Sequence, residues 1–141
     1  MNKLNFQAPI TTNTGYGITS TNILKSLIEL NVDIALFPIG DVTLESVEDK
    51  NLIEPIFQKT QVSYNQNDPN LKIWHQFDLS ARVGSGTYGA LVFFEIDKMN
   101  PVEVNMMNLK IIQKQVIVIE HVESQTQNCI RCGYSYCGCW R

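Results

Sequence analysis

The stretch that decides the fold is LKIWHQFDLSARVGSGTYGALVFFEIDKMNPVEVNMMN, residues 71–108. Within it, one apolar run ends at His75, a second apolar run ends at Glu95, and Pro101 then begins a helical pattern. Apolar runs that alternate with helical patterns are typical of buried strands in a parallel sheet. Ligands bind in the crevice outside the carboxyl ends of such strands, so the sequence predicts that His75 and Glu95 line a site.

The same alternation of apolar runs and helical patterns extends over the whole chain. We predict an α/β fold, a Rossmann-like three-layer sandwich with a mostly parallel sheet, in which the first strand is central. Pro55 is expected in the first turn of a short second helix or at a break there. Apolar runs predict strands at residues 4–6, 32–39, 71–75, 90–95 and 116–119, and helical spacing predicts helices within residues 20–30, 44–58 and 101–108.

Gly15, Tyr16 and Gly17 stand between the first strand and the first helix, which we expect to begin near an N-cap at Thr19 or Ser20. Glycines let the backbone approach a ligand closely, and a helix start suits a phosphate or a sugar hydroxyl. The dinucleotide motif G-x-G-x-x-G is incomplete here because Ser20 stands at the third glycine. A plain flexible loop explains the same residues equally well.

A second glycine-rich segment, residues 84–89, matches G-x-G-x-x-G to the letter. A dinucleotide site requires this motif to follow a strand and open a helix, whereas here it precedes an apolar run. We interpret the segment as a turn-rich loop that precedes the fourth strand. The alternative that it also lines the crevice stays open.

Polar side chains beside the two predicted strand ends are candidates for chemistry. Glu95 and Asp97 are paired acids, which can transfer protons or bind sugar hydroxyls, although one of them can equally cap a turn. His75 at a strand end is either a structural histidine or a catalytic one. Asp78 and Arg82, four residues apart, are expected to form a solvated ion pair.

Composition restricts the class of protein. The chain has 141 residues, 44% of them hydrophobic and 18% charged, which predicts one globular domain with a real core. The net charge of −3 without a basic block argues against a nucleic-acid partner. No apolar run approaches the roughly 20 residues of a membrane span, and the first residues lack a secretory pattern. We therefore expect a cytoplasmic location.

The segments NFQAPI, GYGI, NILKSL, LKIWHQFDL and GALVFFEIDKMNPVEV, in this order, resemble the N-terminal half of GT-B glycosyltransferases of the retaining, group 1 type. The resemblance covers residues 3–108, and FFEIDKMNPVEVN is its most specific part. It implies one of two Rossmann-like domains that face each other across a cleft. In that family the N-terminal domain mainly binds the acceptor, and the C-terminal domain mainly binds the nucleotide-sugar.

This resemblance also implies an activity, which is transfer of a hexose from a nucleotide-sugar to an acceptor hydroxyl with retained configuration. No metal or other cofactor is implied, since the nucleotide-sugar is a co-substrate. Gly15, Tyr16 and Gly17 would lie near the donor phosphates, while His75 and Glu95 would face the cleft. The family's donor-binding half has no counterpart in the sequence, so a truncated chain would need a partner that supplies it. The alternative is a non-catalytic binding module for a nucleotide, glycan or protein.

The sequence divides into a predicted domain at residues 1–120 and a cysteine-rich tail at residues 121–141, where the resemblance stops. The C-x-x-C and C-x-C pairs of the tail offer four thiolates, the number that a tetrahedral zinc site needs, although the spacing is tight. The same pattern is also compatible with an unstructured tail, with disulfides or with a frame-shifted end of the gene. The four thiols belong to Cys129, Cys132, Cys137 and Cys139.

Overall fold

The computed structural model of the protein describes residues 2–94, 100–102, 104–105 and 116–120. Strands and helices alternate up to residue 73, as predicted, and a connection with a single 3-10 turn then leads to the next strand. The elements are β1 (Lys3–Ala8), α1 (Gly15–Glu29), β2 (Asp33–Pro38), α2 (Val47–Gln58), α3 (Thr60–Ser63), β3 (Asn70–Ile73), a 3-10 turn (Gln76–Asp78), β4 (Tyr88–Phe94) and β5 (Val116–Glu120).

The strands form one sheet in the order β2-β1-β3-β4-β5, and every neighbouring pair is parallel. This order confirms the predicted α/β Rossmann-like fold with β1 inside the sheet. The chain moves from β1 to one side to form β2, and then crosses to the other side to form β3. The topological switch point therefore lies between β1 and β3, where open parallel sheets form a crevice at the carboxyl ends of their strands.

Both faces of the sheet are buried, which the near-continuous apolar runs predict. On one face Phe6, Leu36 and Ile73 pack with Leu24 of α1 in the larger core. The register that pairs Phe6 with Leu36 and Leu71 places these side chains on a common face. A second core lies under the connection between β3 and β4, and its members are Leu79, Tyr88, Ala90 and Val92. The two cores make the sheet the middle layer of the fold.

The first helix ends with a Schellman motif that turns the chain into β2. Asn31 adopts a left-handed conformation with φ 55°, which asparagine tolerates better than most residues. The Asn31 N–H donates to the Ile28 carbonyl, and the Val32 N–H donates to the Leu27 carbonyl. Two carbonyls of the last turn are thereby satisfied.

Pro55 was predicted to start or break a helix, and this prediction is wrong because the residue lies inside α2. The helix continues past it, since the Lys59 N–H donates to the Pro55 carbonyl. Pro55 is exposed. The carbonyl one turn earlier, which loses its intrahelical partner to the proline ring, can therefore be hydrated.

The segment that matches G-x-G-x-x-G lies at the amino ends of β3 and β4, away from the crevice. Gly84 has φ +75°, and a Cβ on Gly86 would clash with the carbonyls of Asn67 and Asp68. The N–H groups of Ser85 and Gly86 donate to the Gln66 carbonyl. Its glycines thus serve the packing of two loops, and the suggestion that it lines the crevice is wrong.

Several predicted residues lie outside the described part of the chain, namely Glu95, Asp97 and the cysteines Cys129, Cys132, Cys137 and Cys139. Among the residues that the structure does describe, no three or more His, Cys, Asp and Glu side chains form a group that could hold a metal ion. None of the helices in those ranges is long and apolar enough to cross a membrane.

Tyr88 makes the stability of the second core depend on pH. Its hydroxyl donates to the Leu79 carbonyl at 3.0 Å, and burial raises the pKa of Tyr88 to about 12 although Arg82 lowers it in part. An unfolded tyrosine ionises near pH 10. Stabilisation from the protonated hydroxyl should therefore be complete below about pH 10 and be lost as the pH rises towards about 12.

We expect Tyr88→Phe to cost about 1 kcal/mol near neutral pH, since the Leu79 carbonyl loses its donor. The same variant should flatten the loss of stability above about pH 10. Urea unfolding measured at several pH values checks both effects, with Tyr64→Phe at a more exposed position as the control. An equally steep alkaline loss in the Tyr88→Phe protein would contradict the assignment.

Candidate functional site at the switch point

The first helix begins directly at the crevice, earlier than the sequence suggested. Thr14 is the N-cap, and its hydroxyl accepts a hydrogen bond from the Gly17 N–H at 3.1 Å. The predicted cap at Thr19 or Ser20 is therefore wrong, because Gly15, Tyr16 and Gly17 form the first helical turn. One side-chain cap was enough to begin the helix in a segment whose glycines and threonines suggested a loop.

Gly17 allows α1 to pack tightly against the loop that leaves β1. A Cβ on this residue would clash with the side chain and the carbonyl of Thr11, whereas a Cβ on Gly15 would meet nothing within 4 Å. The loop is fixed in turn by Thr43, whose N–H donates to the Ile10 carbonyl and whose carbonyl accepts from the Thr12 N–H. The space beside Gly15 is thus open, and the loop that leaves β1 next to it is held by hydrogen bonds.

Ser20, at the position of the missing third glycine, is completely buried. A small residue at this point lets a helix lie close to the sheet, which is the packing role of the third glycine in dinucleotide-binding proteins. The first helical turn also contains no acidic residue. The partial positive charge of the helix start therefore reaches the crevice without a carboxylate in that turn to oppose it.

The Tyr16 side chain extends from α1 to β4 across the end of β3. Its hydroxyl donates to the Phe93 carbonyl at 2.9 Å and accepts from the Phe93 N–H at 3.2 Å. β3 pairs with β4 only as far as Ile73 and Leu91, with one further bond from the Trp74 N–H to the Leu91 carbonyl. The hydroxyl thus occupies the place that the next residue pair of the ladder would take, and it forms the floor of the crevice.

His75 follows the end of β3, as predicted, and lies within a cluster of rings. Its imidazole centroid is 4.5 Å from the Tyr16 ring, 4.6 Å from the Trp74 ring and 5.2 Å from the Phe77 ring. Within the described residues, neither imidazole nitrogen has a hydrogen-bond partner. The rings hold the imidazole in place. Its nitrogens therefore remain able to form hydrogen bonds with a ligand.

Lys72 is an important residue that the sequence analysis missed. Its side chain is buried between β3 and the following connection, and its ammonium donates to the carbonyls of Asp78 and Ala81. The Asp78 carboxylate lies 3.3 Å from the same nitrogen, so the ion pair that forms is Lys72–Asp78 and the predicted Asp78–Arg82 pair is wrong. Arg82 instead lies over the Tyr88 ring at 5.7 Å. The sequence signal that could have identified Lys72 is the presence of a lysine within an apolar strand.

The structure thus brings together Gly15, Tyr16, Gly17 and His75, four of the predicted site residues, at the switch point. Glu95 follows β4 in the sequence, two residues after Phe93, but it and Asp97 lie outside the described residues. Parallel strands present their carboxyl ends at one edge, so the crevice combines a helix start, an imidazole and open space beside a glycine.

No family model, no curated protein and no solved structure matches this chain. The topology and the residues at the switch point define its class by themselves. The chain is an α/β protein of the Rossmann-like type with its candidate site at the switch point between β1 and β3.

The two glycines of α1 should respond in opposite ways to alanine. Gly17→Ala should destabilise the protein by about 2 kcal/mol, because the new methyl group clashes with Thr11. Gly15→Ala should stabilise it by about 0.5 kcal/mol, since alanine is the better helix former and nothing obstructs the methyl group. Urea unfolding of the two variants measures both effects, and equal changes in the two proteins would contradict the packing described for Gly17.

Removing the Tyr16 hydroxyl should loosen the end of β4. We expect Tyr16→Phe to cost about 1 to 2 kcal/mol, because the Phe93 N–H and carbonyl both lose their partner while the ring contacts persist. Hydrogen exchange at the Phe93 amide should accelerate roughly tenfold or more. Tyr64→Phe is the control, and unchanged protection of the Phe93 amide in Tyr16→Phe would contradict the role of the hydroxyl.

Proposed function

We propose that the chain is the N-terminal, acceptor-side domain of a retaining GT-B glycosyltransferase. Such an enzyme transfers a hexose from a nucleotide-sugar to an acceptor hydroxyl. The observation that carries the proposal is the meeting of the α1 start with His75 at the switch point. The resemblance of residues 3–108 to this family was inferred from the sequence alone. It implies that residues at this same edge of the sheet line the cleft.

The helix start supports a part for this domain in holding the leaving diphosphate. The N–H groups at the start of α1 and the partial positive charge there stabilise negative oxygens. The first turn carries no carboxylate, and the open space beside Gly15 leaves room for a phosphate to approach the backbone. These groups would offset the charge that develops on the nucleotide as the bond to the sugar breaks.

The imidazole supports a part for His75 on the acceptor side of the reaction. Rings fix its position, and its nitrogens are without partners among the described residues. A nitrogen held in this way can accept a hydrogen bond from the attacking hydroxyl or orient it. Glu95 and Asp97, which follow β4 in the sequence, are proposed to bind sugar hydroxyls or to share the proton transfer.

Donor binding and full activity would require a second Rossmann-like domain, which we propose as the partner across the cleft. The described residues form one sheet, and its crevice supplies one wall of such a cleft. Nucleotide-sugar and acceptor would then meet between the two domains. The single domain is accordingly expected to bind ligands weakly and to turn them over slowly.

Nucleotide-sugars can test this proposal directly. The protein is titrated with UDP- and GDP-hexoses while backbone amides are followed by NMR, and release of the nucleoside diphosphate is measured with and without an added GT-B C-terminal domain. We expect shifts at the amides of Gly15 and Gly17 on binding. Release should fall at least about tenfold in His75→Ala, because a positioned proton acceptor contributes at least that much to such a reaction.

Ser26→Ala, at an exposed position of α1 away from its first turn, is the matched control and should behave as the unaltered protein. Binding at the switch point without turnover under any condition would favour the alternative, a non-catalytic binding module for nucleotides or glycans. Failure of every nucleotide-sugar and glycan to perturb Gly15, Gly17 or His75 would contradict both functions.

A further inference from the structure

Phe77 is an aromatic side chain that the structure exposes at the edge of the crevice. The residue is 56% exposed, and one face of its ring is stacked on the His75 imidazole with an interplanar angle of 7°. The ring centroids are 5.2 Å apart, which is an offset stack. The other face of the Phe77 ring is directed away from the imidazole.

The turn that carries Phe77 is fixed by the buried Lys72. The ammonium donates to the carbonyls of Asp78 and Ala81, one and four residues after Phe77. The Asp78 N–H donates to the His75 carbonyl at 3.2 Å and closes the turn. Gln76, on the other side of Phe77, is buried. Phe77 is therefore exposed on a turn whose backbone is fixed by hydrogen bonds. The orientation of the turn does not depend on a ligand.

Burial of an ammonium group is costly unless all its hydrogen bonds are made, and here three acceptors surround it. The result is an aromatic surface whose backbone is fixed. The imidazole of His75 lies behind the ring, and the Asp78 carboxylate, whose side chain is 42% exposed, follows it in the chain. A pre-organised surface loses little conformational entropy when a ligand binds.

We propose that the free face of Phe77 is the stacking surface for a hexopyranose ring of the acceptor. Such a ring has one face made of C–H groups, which suits an aromatic face, and a rim of hydroxyl groups, which suits a carboxylate. Asp78, the next residue along the chain, has a side chain that is 42% exposed and supplies the carboxylate. The inference rests on the proposed function, because it names the acceptor that this domain receives.

The surface is tested on the whole protein with methyl hexopyranosides, which need no donor and no turnover. Saturation-transfer NMR measures their affinity for the unaltered protein, Phe77→Ala, Phe77→Trp and Phe57→Ala. We expect Phe77→Ala to weaken binding roughly tenfold, because it removes the stacking contact, and Phe77→Trp to retain binding. Phe57, on α2, is 51% exposed and supplies a control of the same residue type.

Equal affinity in Phe77→Ala and the unaltered protein would overturn the proposal, and so would a fall of the same size in Phe57→Ala. Uridine serves as the comparison ligand, and Phe77-dependent binding of uridine in place of the glycosides would also overturn it. Phe77-dependent glycoside binding without turnover of any nucleotide-sugar would support this surface while contradicting the enzyme. Turnover that Phe77→Ala leaves unchanged, at acceptor concentrations below saturation, would support the enzyme and overturn the surface.

Discussion

The crevice depends on the two hydrogen bonds between the Tyr16 hydroxyl and the main chain of Phe93. β4 continues beyond the end of β3, so these main-chain groups would otherwise lack a partner on the β3 side. A partly buried N–H or carbonyl without a partner is costly. A side chain from α1 supplies the missing bonds, so β3 can stop early and leave the space that forms the site.

The connection between β3 and β4 poses a related problem, because it crosses the sheet without a regular helix. A crossover helix satisfies its own main chain, whereas an irregular segment over a buried face does not. Two long side chains from the strands provide donors instead. The Lys72 ammonium binds the carbonyls of Asp78 and Ala81, and the Tyr88 hydroxyl binds the Leu79 carbonyl. The main-chain carbonyls that the Lys72 ammonium binds thus explain why this charged group is buried.

Periodicity was sufficient to predict the strands, because strands buried on both faces give apolar runs that few other elements produce. It failed where a single contact between distant residues decides the outcome. The start of α1 depends on Thr14 as a cap and on the fit of Gly17 against Thr11, neither of which leaves a periodic signal. Lys72 was missed for the same reason, since the carbonyls it binds come from a connection whose path only the sheet order defines. His75 was predictable because its position depends on the strand end alone.

The two glycine segments show why the order of elements matters more than the letters of a motif. In residues 84–86, glycines are required by the carbonyls of residues 66–68 at the amino ends of the strands, where no helix begins. In residues 15–20 the motif is incomplete, yet Gly17 and the buried Ser20 let α1 approach the sheet at the carboxyl ends. Only that edge combines a helix start with the end of β3. The local sequence therefore describes which backbone contacts are tight, and the parallel topology decides which of those contacts can meet a ligand.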